Sequence, residues 1–295
     1  MNTVSSMSQA VRRFSESNRS VEYQQLTLHQ DAQNAVAWCY MNASPRPCFT
    51  TELLEELDQW ASHLRRQASE HPLRYHVTAS LVPGIFNLGG DLDVFRKSIV
   101  AADAGRLYAY ARRCIDVLYA NITGFDCDVT TISLVQGEAL GGGFEAALSS
   151  EVLIAERRSR FGFPEILFNL FPGMGAFSLL SRRVGSRLAQ QLILSGKVYG
   201  AEELHAMGVV DVIADDGEGE LAVYDYIKRE NRARNGFTAL RQARDSINPV
   251  TYEELEKIVR IWVDAALRLE ARDLKMMDRL VARQARGRRD TEKVA

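Results

Sequence analysis

Apolar residues recur along this chain with two different periods. Runs in which apolar residues alternate with others, or that are continuously apolar, predict β-strands, and apolar residues three and four apart predict amphipathic helices. The predicted strands are 23–28, 35–41, 74–82, 129–135 and 152–155. The predicted helices are 51–66, 91–101, 144–149, 176–183, 186–194, 201–207, 221–232 and 252–283. Strands alternate with helices before a helical tail, so the pattern predicts an α/β fold with a helical C-terminal layer.

No repeat or low-complexity linker interrupts this pattern, so we expect one globular unit. Its expected parts are a flexible N-terminal arm at 1–20, a core at 21–220, a C-terminal helical region at 221–283 and a polar tail at 284–295. Residues 101–119 form a further helical stretch to which the sequence assigns no role.

The composition of the chain argues against several classes of protein. The 36 Lys and Arg residues nearly balance the 38 Asp and Glu residues, so no overall positive field would attract nucleic acid. No apolar run approaches the length of a membrane span, and the N-terminal segment lacks the apolar stretch of a signal peptide. Four scattered cysteines form no C-x-x-C motif. We therefore expect a cytoplasmic protein with no metal and no cofactor.

Two glycine runs, at 87–91 and 140–144, lie between a predicted strand and the helix that follows it. Each would present backbone N–H groups at a helix N-terminus, where negative charge is stabilised. Neither run fits the dinucleotide or P-loop fingerprint. The pair could converge on one developing oxyanion, although each run alone is equally consistent with a tight turn.

Two carboxylates follow glycine or proline in unusually apolar surroundings. Glu145 comes after the second glycine run, and Glu165 comes after Pro164. An apolar environment raises the pKa of a carboxyl group, which suits proton transfer. Taken singly, each glutamate is also consistent with an ordinary first-turn helix residue.

The order of these motifs along the chain is distinctive enough to indicate a protein family. The string at 137–148, followed by Phe-Gly-Phe-Pro-Glu at 161–165 and Pro-Gly-Met-Gly at 172–175, resembles the crotonase superfamily of enoyl-CoA hydratases and isomerases. The segments 86–91, 166–175 and 261–264 are similar to those of bacterial diffusible signal factor synthases. The resemblance implies a crotonase-like spiral of ββα repeats, assembled as a homotrimer or a dimer of trimers.

The resemblance also implies site residues. Glu145 and Glu165 match the catalytic glutamates, with Glu165 favoured as the base for the α-proton and Glu145 as its partner. The oxyanion hole would use the amides of Leu88, with Gly89 as its neighbour, and Gly142. The acyl pocket would include the apolar residues Leu140, Met174, Trp262 and Leu280.

The implied activity is synthesis of a quorum-sensing signal. The enzyme would dehydrate a 3-hydroxyacyl thioester to the cis-2-enoyl form and then hydrolyse it to a free cis-2-unsaturated fatty acid. Residues 83–86 lack the cation that helps hydratases hold coenzyme A, which favours acyl carrier protein as the carrier over coenzyme A. The resemblance also implies a sensor kinase as a partner. Two alternatives are a conventional enoyl-CoA hydratase of fatty acid oxidation and a non-catalytic protein that binds a fatty acid or a sensor.

Overall fold

The computed structural model describes residues 23–70 and 73–291. Within these residues the strands are β1 (Leu26–Asp31), β2 (Val36–Met41), β3 (Tyr75–Ser80), β4 (Ile85–Asn87), β5 (Thr130–Val135), β6 (Glu138–Leu140), β7 (Val152–Glu156), β8 (Arg160–Gly162), β9 (Val198–Gly200) and β10 (Val212–Ala214). The first helices are α1 (Thr51–Glu70), α2 (Leu92–Val100), α3 (Ala104–Ile122) and α4 (Gly142–Ser149). They are followed by α5 (Ala176–Val184), α6 (Ser186–Ser195), α7 (Ala201–Ala206), α8 (Gly219–Asn231), α9 (Arg234–Ile247), α10 (Tyr252–Ala266) and α11 (Ala271–Thr291). Short 3-10 turns occupy Gly124–Asp126 and Pro164–Phe168.

The strands form two sheets. The larger has the order β1-β2-β3-β5-β7-β10 and is parallel except for the β1–β2 pair. Every residue of β2, β5 and β7 is buried, because helices or loops cover both faces of these strands. The smaller sheet has the order β4-β6-β8-β9, with the first three strands parallel.

Successive strands alternate between the two sheets. β3, β5 and β7 enter the larger sheet, and the strand after each one enters the smaller sheet. A helix follows β4 and β6, and the 3-10 turn at Pro164–Phe168 follows β8. This arrangement confirms the predicted α/β spiral of ββα repeats.

The C-terminal helices cover this core. α10 packs on α3, and α11 packs on α2 and on the 3-10 turn at Pro164–Phe168. An ion pair of 2.5 Å between Arg96 and Asp278 joins α2 to α11. None of the helices in residues 23–70 and 73–291 is long and apolar enough to cross a membrane.

The C-terminal region differs in detail from the sequence prediction. The helix expected at 252–283 is two helices, since the Asp273 carboxylate accepts the Glu270 N–H at 2.9 Å and starts a new helix there. The helix Arg234–Ile247 was not predicted, because none of its residues is buried and its apolar pattern is sparse. Backbone helix continues to Thr291 where a polar tail was expected from 284. The proposed N-terminal arm lies outside the described residues.

Candidate active site

Three neighbouring strand ends carry the residues that the sequence singled out. In the small sheet, β4 leads into Leu88–Gly90, β6 leads into Gly141 and α4, and β8 leads through Phe163 into Pro164 and Glu165. Because β4, β6 and β8 are parallel neighbours, their carboxyl ends meet at one edge of the sheet. Three segments that are about 50 and about 25 residues apart in sequence therefore meet in one place.

The two glycine loops touch each other through their backbones. A Cβ atom on Gly89 would lie 2.8 Å from the Gly142 nitrogen, and Gly89 has a φ of +90°. A Cβ atom on Gly142 would lie 3.4 Å from the Gly89 Cα. Only glycine tolerates both the close approach and the positive φ at position 89, so Gly89 is needed for contact between the loops.

The backbone amides at this contact differ in what they bind. The Leu88 N–H donates to the Pro47 carbonyl at 2.8 Å, and the Gly89 N–H donates to Asn87 Oδ1 at 2.7 Å. Gly142 is the first residue of α4, so its N–H has no acceptor within the helix. Of the amides expected in the oxyanion hole, Gly142 is the one placed to donate to a ligand. The Leu88 amide is held by Pro47 in this conformation.

Glu145 is buried in the first turn of α4, with 1% of its surface exposed. Its Oε1 accepts N–H bonds from Met174 at 2.8 Å and from Ala176 at 2.9 Å. Burial raises the pKa of this carboxyl to about 7, although the backbone bonds oppose the shift. Glu145 is therefore both rigidly held and able to exchange a proton near neutral pH.

Glu165 lies on the turn that begins at Pro164, and its carboxylate rests against Gly141. A Cβ atom on Gly141 would be 2.3 Å from Glu165 Oε1. The Oε2 atom is buried with no hydrogen-bond partner. Burial, followed by the nearby charge of Glu145, raises the pKa of Glu165 to about 8. The two carboxyl groups therefore share one proton between these values.

A cavity of about 50 Å³ connects these groups, and its wall is mostly apolar. Of the expected site residues, it brings together Leu88, Gly142, Glu145, Glu165, Met174 and Trp262. Leu140 does not line it and packs in a separate cluster with Val82, Ile85 and Leu88. Leu280 also does not line it and packs against the main core.

An aromatic cluster closes one side of the cavity, and the sequence singled out only one of its members, Trp262. The rings of Phe95 and Trp262 meet edge to face at 4.8 Å, and Phe95 meets Tyr110 in the same way at 5.4 Å. Tyr110 and Cys114 come from α3, so the helical stretch without an assigned role forms part of the cavity wall. The signal that could have revealed them is their spacing of four residues on one face of a helix.

Tyr110 also holds the first glycine loop in place. Its hydroxyl accepts the Asp91 N–H at 2.9 Å and donates to the Phe49 carbonyl. Asp91 in turn caps α2 through the Asp93 N–H at 3.0 Å and binds Arg46 at 2.6 Å. This buried network fixes the start of α2 directly after Leu88–Gly90.

Comparison with known proteins agrees with this geometry. The model of the enoyl-CoA hydratase/isomerase family matches residues 31–267. The chain belongs to this family. Mouse mitochondrial methylglutaconyl-CoA hydratase is 30% identical over 226 residues, which cover 75% of this chain and 68% of the relative.

Solved structures of the family share the fold. The structure of Pseudomonas aeruginosa DspI superposes with a TM-score of 0.67 at 26% identity, covering 83% of this chain and 98% of that one. An enoyl-CoA hydratase from Bacillus halodurans superposes with a TM-score of 0.72 at 21% identity, covering 88% of this chain and all of that one. Membership of the family supports a hydratase-like lyase activity on acyl thioesters.

Proposed function

We propose that this enzyme dehydrates a 3-hydroxyacyl thioester and hydrolyses the product to a free cis-2-unsaturated fatty acid that serves as a quorum-sensing signal. The observation that carries the proposal is the pair of buried carboxyl groups, Glu145 and Glu165, on one cavity beside the Gly142 amide. The resemblance to diffusible signal factor synthases and the similarity to DspI support it further.

Dehydration needs a base, an acid and an oxyanion donor. The thioester oxygen would accept the Gly142 N–H, and one such donor is typically worth about 2.7–4 kcal/mol in the transition state. Glu165 would take the α-proton, and Glu145 would protonate the β-hydroxyl. The Cα–H and Cβ–O bonds break, a Cα–Cβ double bond forms and water leaves. A cis product requires the narrow apolar cavity to bend the chain at this bond.

Release of the acid would use the same groups. An ionised glutamate would remove a proton from water while the water oxygen bonds to the carbonyl carbon, which is polarised by Gly142. The C–S bond then breaks, and the thiol of the carrier leaves with a proton. No separate nucleophile is needed for this step.

Hydration of an enoyl-CoA is the second candidate, and the match to the enoyl-CoA hydratase/isomerase family favours it. The same two carboxyl groups would work in the reverse direction, with Glu165 donating a proton to Cα while Glu145 removes a proton from water. A Cβ–O bond and a Cα–H bond form as the Cα–Cβ double bond becomes a single bond.

Product analysis distinguishes these functions. We would incubate the purified protein with 3-hydroxydodecanoyl acyl carrier protein, the matching coenzyme A thioester and crotonyl-CoA, and identify the acids by mass spectrometry. Free cis-2-dodecenoic acid from the carrier-bound substrate supports the proposal. Rapid hydration of crotonyl-CoA without any free unsaturated acid supports the alternative. The variants Glu145→Gln and Glu165→Gln should each reduce turnover by about 10²–10⁴, while the exposed Glu218→Gln should not.

We also propose that the enzyme assembles as a homotrimer or a dimer of trimers. Helix α9 supports this, since Leu240 and Ile247 are 72% and 82% exposed. Exposed apolar side chains on one helix are typical of a surface that is covered by another molecule. Analytical ultracentrifugation tests the proposal directly, and a purely monomeric species would refute it.

A further inference from the structure

A second cavity of about 50 Å³ adjoins the active-site cavity. Met174 and Cys114 line both cavities, so these two side chains form the wall between them. Most of the remaining wall is apolar, and it comes from α1, α3, α4 and the strands β2 and β3. The proposed chemistry makes no use of this space.

The second cavity extends along helix α3. Cys114, Leu118 and Asn121 all line it, and their spacing of four and then three residues places them on one face of the helix. Asn121 comes seven positions after Cys114, which corresponds to about 10 Å along the helix axis. The cavity therefore leads away from the catalytic glutamates toward Asn121.

A polar group without a partner lies toward this far end. The Asn121 Nδ2 donates to Ser149 Oγ at 2.8 Å and to Ser150 Oγ at 2.9 Å. The Ser149 hydroxyl donates to the Ala146 carbonyl, so it must accept from Asn121, which sets the orientation of the amide. The Asn121 Oδ1 is buried and has no hydrogen-bond partner.

His76 supplies a second unpartnered polar atom in the same wall. Its Nε2 accepts the Trp60 Nε1–H at 3.0 Å, so the ring proton is on Nδ1. Burial lowers the pKa of His76 to about 3, which keeps the imidazole neutral. Its Nδ1 is buried without a partner. Asn121 thus contributes an acceptor and His76 a donor to a cavity that is otherwise mostly apolar.

We propose that this cavity is the distal subsite for the acyl chain of the substrate, entered between Cys114 and Met174, with His76 and Asn121 as a polar stop that limits chain length. The inference rests on the proposed function in taking an acyl chain as the occupant. Methionine is flexible and adapts its shape, which suits a side chain that must move aside at the entrance. A hydrocarbon chain end offers no hydrogen bond to either polar atom and would exclude water from both, so chains long enough to reach them should bind less tightly.

The test compares chain-length profiles between variants. Binding of saturated acyl thioesters of acyl carrier protein and of coenzyme A, from butyryl to tetradecanoyl, would be measured by calorimetry. Ala61 is buried, lines only the second cavity and lies outside the catalytic machinery. Ala61→Leu should weaken binding of the longest chain that the wild type accepts by about tenfold. The affinity for the butyryl thioester should stay unchanged. Ala61→Val makes the same test with less overpacking.

The polar stop is tested with variants that should strengthen, not weaken, the binding of long chains. Asn121→Leu and His76→Phe should each strengthen binding of chains longer than the wild-type optimum by about tenfold. Thr78→Val, which keeps the side-chain volume in the same wall, is the control and should leave the profile unchanged. The proposal is overturned if the chain-length profile stays the same in Ala61→Leu and Ala61→Val. It is also overturned if Asn121→Leu and His76→Phe do not shift the strongest binding to longer chains.

Binding and turnover separate the two proposals. Saturated thioesters are not dehydrated, so their chain-length profile is independent of the chemistry. If the wild type fails to turn over every 3-hydroxyacyl thioester, the proposed function fails while the binding profile still decides the subsite. If saturated acyl thioesters of neither acyl carrier protein nor coenzyme A bind to the wild type, the subsite is refuted whatever the turnover shows.

Discussion

The carboxylate of Glu165 lies directly against the backbone of Gly141. A Cβ atom on Gly141 would come within 2.3 Å of Glu165 Oε1, so glycine at this position makes room for the glutamate. The second glycine run therefore provides the amide of Gly142 and also sets the position of a carboxyl group contributed by another strand.

Replacing Gly141 with alanine should displace Glu165 and reduce kcat by about a hundredfold, since a shift of about 1 Å is enough for such a loss. Gly217→Ala is the control, because Gly217 also has a positive φ of +85° but has no atom within 4 Å of the added Cβ. Steady-state kinetics on the accepted thioester checks this. Equal activity in the two variants would contradict the contact.

The dependence of activity on pH should be bell-shaped. Catalysis needs one protonated and one ionised carboxyl group, and the pKa values are about 7 for Glu145 and about 8 for Glu165. Below about 7 both groups are protonated, and above about 8 both are ionised. We expect kcat/KM to be greatest between these values. A profile that stays flat down to pH 5 would show that the carboxyl groups have ordinary pKa values.

Stability should depend on pH in the direction set by these raised pKa values. Between about 4.5 and 8 the folded protein holds a proton on Glu165 that the unfolded chain has lost. The free energy of unfolding therefore falls as the pH rises through this range. Glu165→Gln should reduce that fall and raise Tm at pH 8 more than at pH 5. The control Glu218→Gln should follow the wild type at both values, and thermal denaturation monitored by circular dichroism measures all three.

Tyr110→Phe should destabilise the protein, because the Tyr110 hydroxyl holds the first glycine loop in place. Loss of the hydroxyl leaves the Asp91 N–H and the Phe49 carbonyl without that partner, and both lie in a buried region. We expect a loss of about 1–3 kcal/mol in the free energy of unfolding. Tyr108→Phe removes a hydroxyl that bonds Glu256 nearer the surface and should cost less. Urea denaturation compares them, and equal losses would argue against the network.

The long elements of the fold could be predicted from the sequence because they show many periods of their pattern. The helix Thr51–Glu70 and the strand Val36–Met41 were each predicted to within a few residues. Strands β4, β6, β8, β9 and β10 have only three residues each, which is too few to show alternation. The small sheet was therefore absent from the pattern, although it brings the glycine loops and glutamates together.

The residues of the candidate site likewise divide into those that the sequence identifies and those that only the structure shows. Glu145, Glu165 and Gly142 belong to motifs with a distinctive order along the chain, so the sequence alone identifies them as candidates. Tyr110 and Cys114 belong to no motif and reach the cavity only because α3 packs beside it. The bond of the Leu88 amide to Pro47 depends on two backbone segments meeting in space, which local sequence does not encode.

The short strands that support the site make the enzyme more sensitive to changes of length than to changes of residue type. β6 pairs through Ala139 with both Asn87 and Phe161, and each functional segment begins within a few residues of the end of such a strand. Deleting one residue from β6 would shift Gly141 by about 3.3 Å and turn the neighbouring side chains to the opposite face. Insertions should be tolerated in the exposed loop at 215–218 but not between 138 and 145.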